Sequence, residues 1–121
     1  MTALRPGRLP LLWWCLALAL AGLIFWLSHS PDARGVAGWL DLSYPRDKIV
    51  HAGVFSVLAG LIFMATGRPW LTVLLASFYG LTDELHQSMV PGRHADVWDW
   101  LADTVGAALA VGLLWALFRR K

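Results

Sequence analysis

The chain has 121 residues, 58% of them hydrophobic and 15% charged, with eight tryptophans, a mean hydropathy of +0.57 and a formal net charge of +2. Such a composition, with the apolar residues in blocks instead of alternating, excludes a soluble domain and predicts one all-α integral membrane domain over residues 1–121. The basic residues sit at the ends of the blocks and not along one polar face, which excludes a nucleic-acid partner. The single cysteine, Cys15, excludes an intrachain disulfide.

Four blocks, at about 11–28, 47–66, 70–90 and 99–118, predict a bundle of four transmembrane helices. The first follows Arg5 and Arg8, a pattern shared with cleavable signal peptides. It is long for a signal core, however, carries Trp13, Trp14 and Trp26, and runs into Ser28-His29-Ser30 without a small-x-small cleavage site. Trp14 before Cys15 also argues against lipoprotein processing, and Cys15 reads as a packing residue. The second block enters through Asp47-Lys48-Ile49-Val50-His51 and ends at the tight turn Gly67-Arg68-Pro69. The third offers only 13 residues, Trp70 to Thr82, before Asp83 and Glu84, whereas roughly 20 residues are needed to cover a hydrocarbon core of ~30 Å. Both acids are therefore expected within the membrane boundary, where ionisable groups turn inward and by default mark a functional site. The fourth block enters through Asp99-Trp100-Leu101-Ala102-Asp103.

An even number of spans puts both termini on one side. Arg5, Arg8, Arg68, Arg119, Arg120 and Lys121 mark that side as cytoplasmic, so residues 32–39 and 91–97 are expected outside a bacterial inner membrane. The acids Asp32, Asp41, Asp47, Asp83, Glu84, Asp96, Asp99 and Asp103 all fall on or near the outer side. Most tryptophans lie near block ends, where indole rings anchor at headgroup level. Ala102, Gly106 and Ala110, and likewise Ala76 and Gly80, recur at a spacing of four, which allows close helix approach in lipid. Asp99, Asp103 and Gly106 share one helical face, so the carboxylates are expected on the packed side.

Three helix ends thus bring polar residues to the external face. Asp47 and His51 are one turn apart, so the carboxylate can orient the imidazole or share a ligand with it. Pro91-Gly92 makes a tight exit turn that sets Arg93 beside the acids. Its guanidinium either neutralises them or offers a bidentate fork to a phosphate or carboxylate. Asp47, His51, Glu84, Asp99 and Asp103 have the O and N donors of a metal site. The chain lacks HExxH, though, and Glu84-Leu85-His86-Gln87 has one histidine too few for it, so neither metal nor other cofactor is expected. Asp83-Glu84-Leu85-His86 matches a helicase box in letters alone, without a phosphate-binding glycine loop. No serine sits in a nucleophile elbow.

Asp47-Lys48-x-x-His51, Asp83-Glu84-x-x-Gln87, Pro91-Gly92-Arg93 and Asp99-x-x-x-Asp103-x-x-Gly106, in that order and spacing, resemble the VanZ-like membrane protein family over residues 47–112. The resemblance implies a small multi-helix membrane domain, and a founding member is linked to resistance to the glycopeptide teicoplanin. The family commonly has Asn where this chain has Asp103, which implies hydrogen bonding as the shared role of that position, since an amide cannot act as acid or base.

Three functional readings follow. In the preferred one the cluster binds a lipid headgroup, a lipid-linked envelope precursor or a glycopeptide, with Asp47, Lys48, Gln87, Arg93 and Asp103 as ligand-binding residues. The alternative is a membrane-embedded hydrolase or transferase acting on a phosphate-bearing lipid, with His51, Glu84 and Asp99 as catalytic candidates and Arg93 on the phosphate. The third is a structural polar network that holds the helices in register. Four thin helices bury little surface, so a homo-oligomer is also expected.

Overall fold

Pro10 at a first helical turn, the Gly67-Arg68-Pro69 break and Asp96 ahead of an apolar run are start and stop signals for helices. The computed structural model of the protein follows them, with α1 at Pro10–His29, α2 at Arg46–Thr66, α3 at Pro69–Ser88 and α4 at Val97–Arg119. It describes residues 5–29, 46–91 and 95–120, with only the backbone described at 29, 46 and 47, and no strand occurs among the described residues. The expected loop at 32–39 lies outside them.

Three helices are long and apolar enough to cross a membrane, over Pro10–Ser28, Lys48–Thr66 and Val97–Arg119. The third helix, α3, falls short of that standard because Asp83 and Glu84 occupy its last turns. Its outer face is nonetheless apolar. Trp70 is 82% exposed and Leu74 and Phe78 are above 60%, as is Leu11 of α1, a distribution that only a lipid environment accommodates. The chain is an integral membrane protein.

At the basic end, Gly7 N–H donates to Met64 O at 2.8 Å, which places the N-terminal segment against the end of α2. Gly67, at φ +66°, closes α2 in the left-handed conformation that glycine adopts without strain, with its N–H donating to Phe63 O at 2.7 Å. Arg119 ends α4, its guanidinium 4.8 Å from the Trp115 ring centre.

Two apolar clusters hold the bundle. Ala17 and Ile24 of α1 pack on Phe55, Leu58 and Ile62 of α2. Ala59 and Phe63 of α2 pack on Ala76 of α3 and on Ala107 and Val111 of α4. The tightest crossing joins α2 to α4. A Cβ at Gly106 would lie 2.8 Å from Ala52 Cα and collide with the Ala52 carbonyl, so only glycine allows this approach. Ser56 Oγ bridges the same crossing, donating to Gly106 O at 2.9 Å. The buried stripe of α4 is Asp99, Asp103, Gly106, Ala107 and Val111. Ala102 and Ala110 of the expected small-residue repeat only flank it, half-buried, because burial follows the carboxylates and Gly106.

Candidate functional site

The end of the bundle opposite the N-terminal segment gathers charge from α2, α3 and α4. The segment leading into α4 organises it. Asp96 caps α4, its Oδ1 accepting from Trp98 N–H at 2.9 Å. Its own N–H donates to Glu84 Oε2 of α3 at 3.0 Å. From α2, Lys48 Nζ donates to Asp96 Oδ2 at 2.7 Å and to Asp99 Oδ1 at 2.5 Å. That ammonium, with the Trp98 amide second, holds the Asp96 carboxyl below the usual carboxylate range.

One turn deeper, His51 of α2 faces Asp103 of α4, with Nδ1 and Oδ1 at 2.9 Å. Asp103 is fully buried, wedged so that a Cβ on Gly80 would come 3.2 Å from its Oδ2. Nδ1 is the ring nitrogen that meets this carboxylate, and Nε2 is the remaining one. Nε2 lies 3.9 Å from Asp99 Oδ2, beyond hydrogen-bonding reach.

Two carboxylate oxygens in this cluster, Glu84 Oε1 and Asp103 Oδ2, are buried without a hydrogen-bond partner. Each orphaned acceptor costs about 1–3 kcal/mol, more when charged. Against a net stability of about 5–15 kcal/mol for a whole domain, two such atoms are a substantial local cost.

The neighbouring polar residues face elsewhere. Gln87 turns toward α1, with Nε2 donating to Ser28 Oγ and to Asp83 Oδ2, both at 3.3 Å. Tyr79 OH donates to Ala21 O, also on α1. Gln87 and Tyr79 therefore tie α3 to α1, with Asp83 accepting from Gln87, whereas Glu84, one residue after Asp83, points into the α2–α4 cluster. His86 stacks on Phe25 of α1, with ring centres 4.4 Å apart. Beside Glu84 lies an apolar groove of about 200 Å³ between α3 and the start of α4. Leu81, Leu85, Val97 and Trp100 line it, with Glu84 and Asp96 at its polar edge. Trp100 is fixed there by its indole N–H, which donates to Ser77 O at 3.0 Å.

Of the residues singled out from sequence, the structure brings Lys48, His51, Glu84, Asp99 and Asp103 together and sets Gln87 on a different face. Arg93 and the side chain of Asp47 lie outside the described residues. Asp96 was missed as a site residue, although an Asp just before the apolar run of α4 carries the signature of a helix cap. Its bond to Glu84 joins positions twelve apart in sequence and had no local signal.

No curated protein sequence and no solved structure is detectably similar to this chain. A family model does match. The resemblance first visible in the spaced polar motifs extends over residues 13–119, and the chain belongs to the VanZ/LLP1 family.

Proposed function

We propose that the protein is a lipid-binding module of the bacterial inner membrane, with both termini cytoplasmic, whose polar cluster takes the headgroup of an envelope lipid or lipid-linked precursor. The observation that carries this reading is the position of Glu84. Its buried carboxylate lies beside the His51–Asp103 pair and also lines an apolar groove whose Leu81, Leu85 and Val97 are exposed on the outer face of the bundle. A lipid presents such a pairing in one molecule, a chain for the groove and a polar head for the cluster. The link to glycopeptide resistance would then be indirect, through the envelope precursors the protein engages.

The test is lipid retained through purification in mild detergent, identified by mass spectrometry, for the wild type and for Leu85→Trp. Leu85 is 57% exposed at the groove wall, so a larger ring fills the groove without disturbing the core. The wild type is expected to enrich one lipid class and Leu85→Trp to lose it. Identical lipid profiles matching the bulk membrane in both would refute the reading.

One observation favours a second reading, a membrane-embedded hydrolase or transferase. The imidazole is held by a buried carboxylate beside a second, that of Glu84, whose Oε1 has no hydrogen-bond partner, an arrangement suited to proton transfer. Turnover of the retained lipid by the wild type, abolished in folded Glu84→Gln, would establish it.

A further inference from the structure

We propose that His51, Glu84 and Asp103 bind one divalent transition-metal cation, of the class represented by Zn²⁺ and Mn²⁺. The three side chains come from α2, α3 and α4, and one ligand atom of each lies within 4.8 Å of the others. The second, separate observation is the pair of unpartnered oxygens on Glu84 and Asp103, whose residues are 5% and 0% exposed. Both observations call for an electron-pair acceptor at this place in the bundle.

The donor chemistry narrows what that acceptor is. Metal–donor bonds of about 2.0–2.2 Å hold opposed donors at most about 4.4 Å apart, so small side-chain rotations close the observed spacing. One imidazole with two carboxylates suits borderline first-row ions, whereas Mg²⁺ and Ca²⁺ favour oxygen alone. The 2.9 Å separation of His51 Nδ1 and Asp103 Oδ1 is compatible with two donors on one ion, so a cation there takes the place of the hydrogen-bonding proton and leaves Nε2 as the ring's outward nitrogen, 3.9 Å from Asp99 Oδ2. A doubly charged ion against two carboxylates leaves no net charge, which removes the cost of burying acids at this depth. Three protein ligands also leave a coordination position open to an oxygen from water or a headgroup. The inference departs from the metal-free cluster expected from sequence, where no ligand motif joins residues 51, 84 and 103. It uses the same cluster as the lipid reading, but its readout is taken on delipidated protein and stands or falls independently of it.

The experiment loads chelator-stripped, delipidated protein with Zn²⁺ or Mn²⁺, removes free ion, and counts metal per chain by plasma mass spectrometry. The wild type is expected to hold about one ion per chain, and His51→Ala and Glu84→Gln to lose affinity by about tenfold or more. Asp83→Asn, which removes a neighbouring buried acid on the α1 side, is expected to keep the ion. Should the site variants fail to fold, the wild type alone decides: the same ion should raise its unfolding temperature and chelator should reverse the rise. No stoichiometric ion in the wild type, equal loading in the variants, or an unfolding temperature indifferent to metal would overturn the proposal.

Discussion

Replacing Gly106 with alanine adds one methyl group to α4 at the place where α2 is nearest. The new Cβ would lie 2.8 Å from Ala52 Cα and 2.9 Å from its carbonyl carbon, atoms that no rotamer change can move aside. Comfortable carbon contact is about 3.5–4.0 Å, so the helices must part locally by roughly 1 Å. Overpacking of this kind costs about 1–3 kcal/mol. The parting also stretches the 2.9 Å bond from Ser56 to Gly106 O toward loss, for a further ~0.5–1.5 kcal/mol. Together the two effects come to about 2–4 kcal/mol, a fall in unfolding temperature on the order of 10 °C for a chain of this size. The assay is thermal unfolding in detergent, followed by tryptophan fluorescence. Gly112→Ala is the control on the same helix, because a Cβ there meets nothing within 4 Å. It should unfold at or slightly above the wild-type temperature, since alanine favours helix over glycine by about 1 kcal/mol. Equal unfolding temperatures for the two variants would refute the steric account of the α2–α4 crossing.

Two more outcomes follow from the charged end. Lys48→Ala leaves Asp96 and Asp99 without their shared ammonium. The loss should fall below the ~3–5 kcal/mol of a fully buried pair, because the Asp96 side chain is 37% exposed, and adding Asp99→Asn should recover part of it. An unfolding temperature unchanged in Lys48→Ala would show that the bridge contributes nothing. For topology, Ala95→Cys on a Cys15→Ser background should react with an impermeant maleimide in intact cells, as the positive-inside orientation requires. Labelling only after the membrane is opened would reverse the orientation and remove any external-leaflet ligand.

Composition and block pattern alone determined the class of this protein: a small helical membrane bundle whose start and stop residues, Pro10, Gly67, Pro69 and Asp96, sit within a residue or two of the helix ends. Those features are local, depending on side-chain hydropathy and backbone preference over one or two turns, and a linear reading captures them. The acids of the third block were legible for the same reason, because too few apolar residues precede them to complete a span. Tertiary structure decided which way each acid faces. Asp83 and Glu84 are adjacent in the chain, yet a rotation of about 100° per helical residue sends the first toward the α1-facing Gln87 and the second to the end of α4. The convergence of His51, Glu84 and Asp103 likewise depends on the rotation and depth of three helices, fixed by Gly106 against Ala52 and Gly80 against Asp103. A periodic pattern places a residue on a face of its own helix. Which neighbour meets that face is set by interhelical packing, where one absent methyl group lets two backbones touch and sets the depth at which their polar side chains meet.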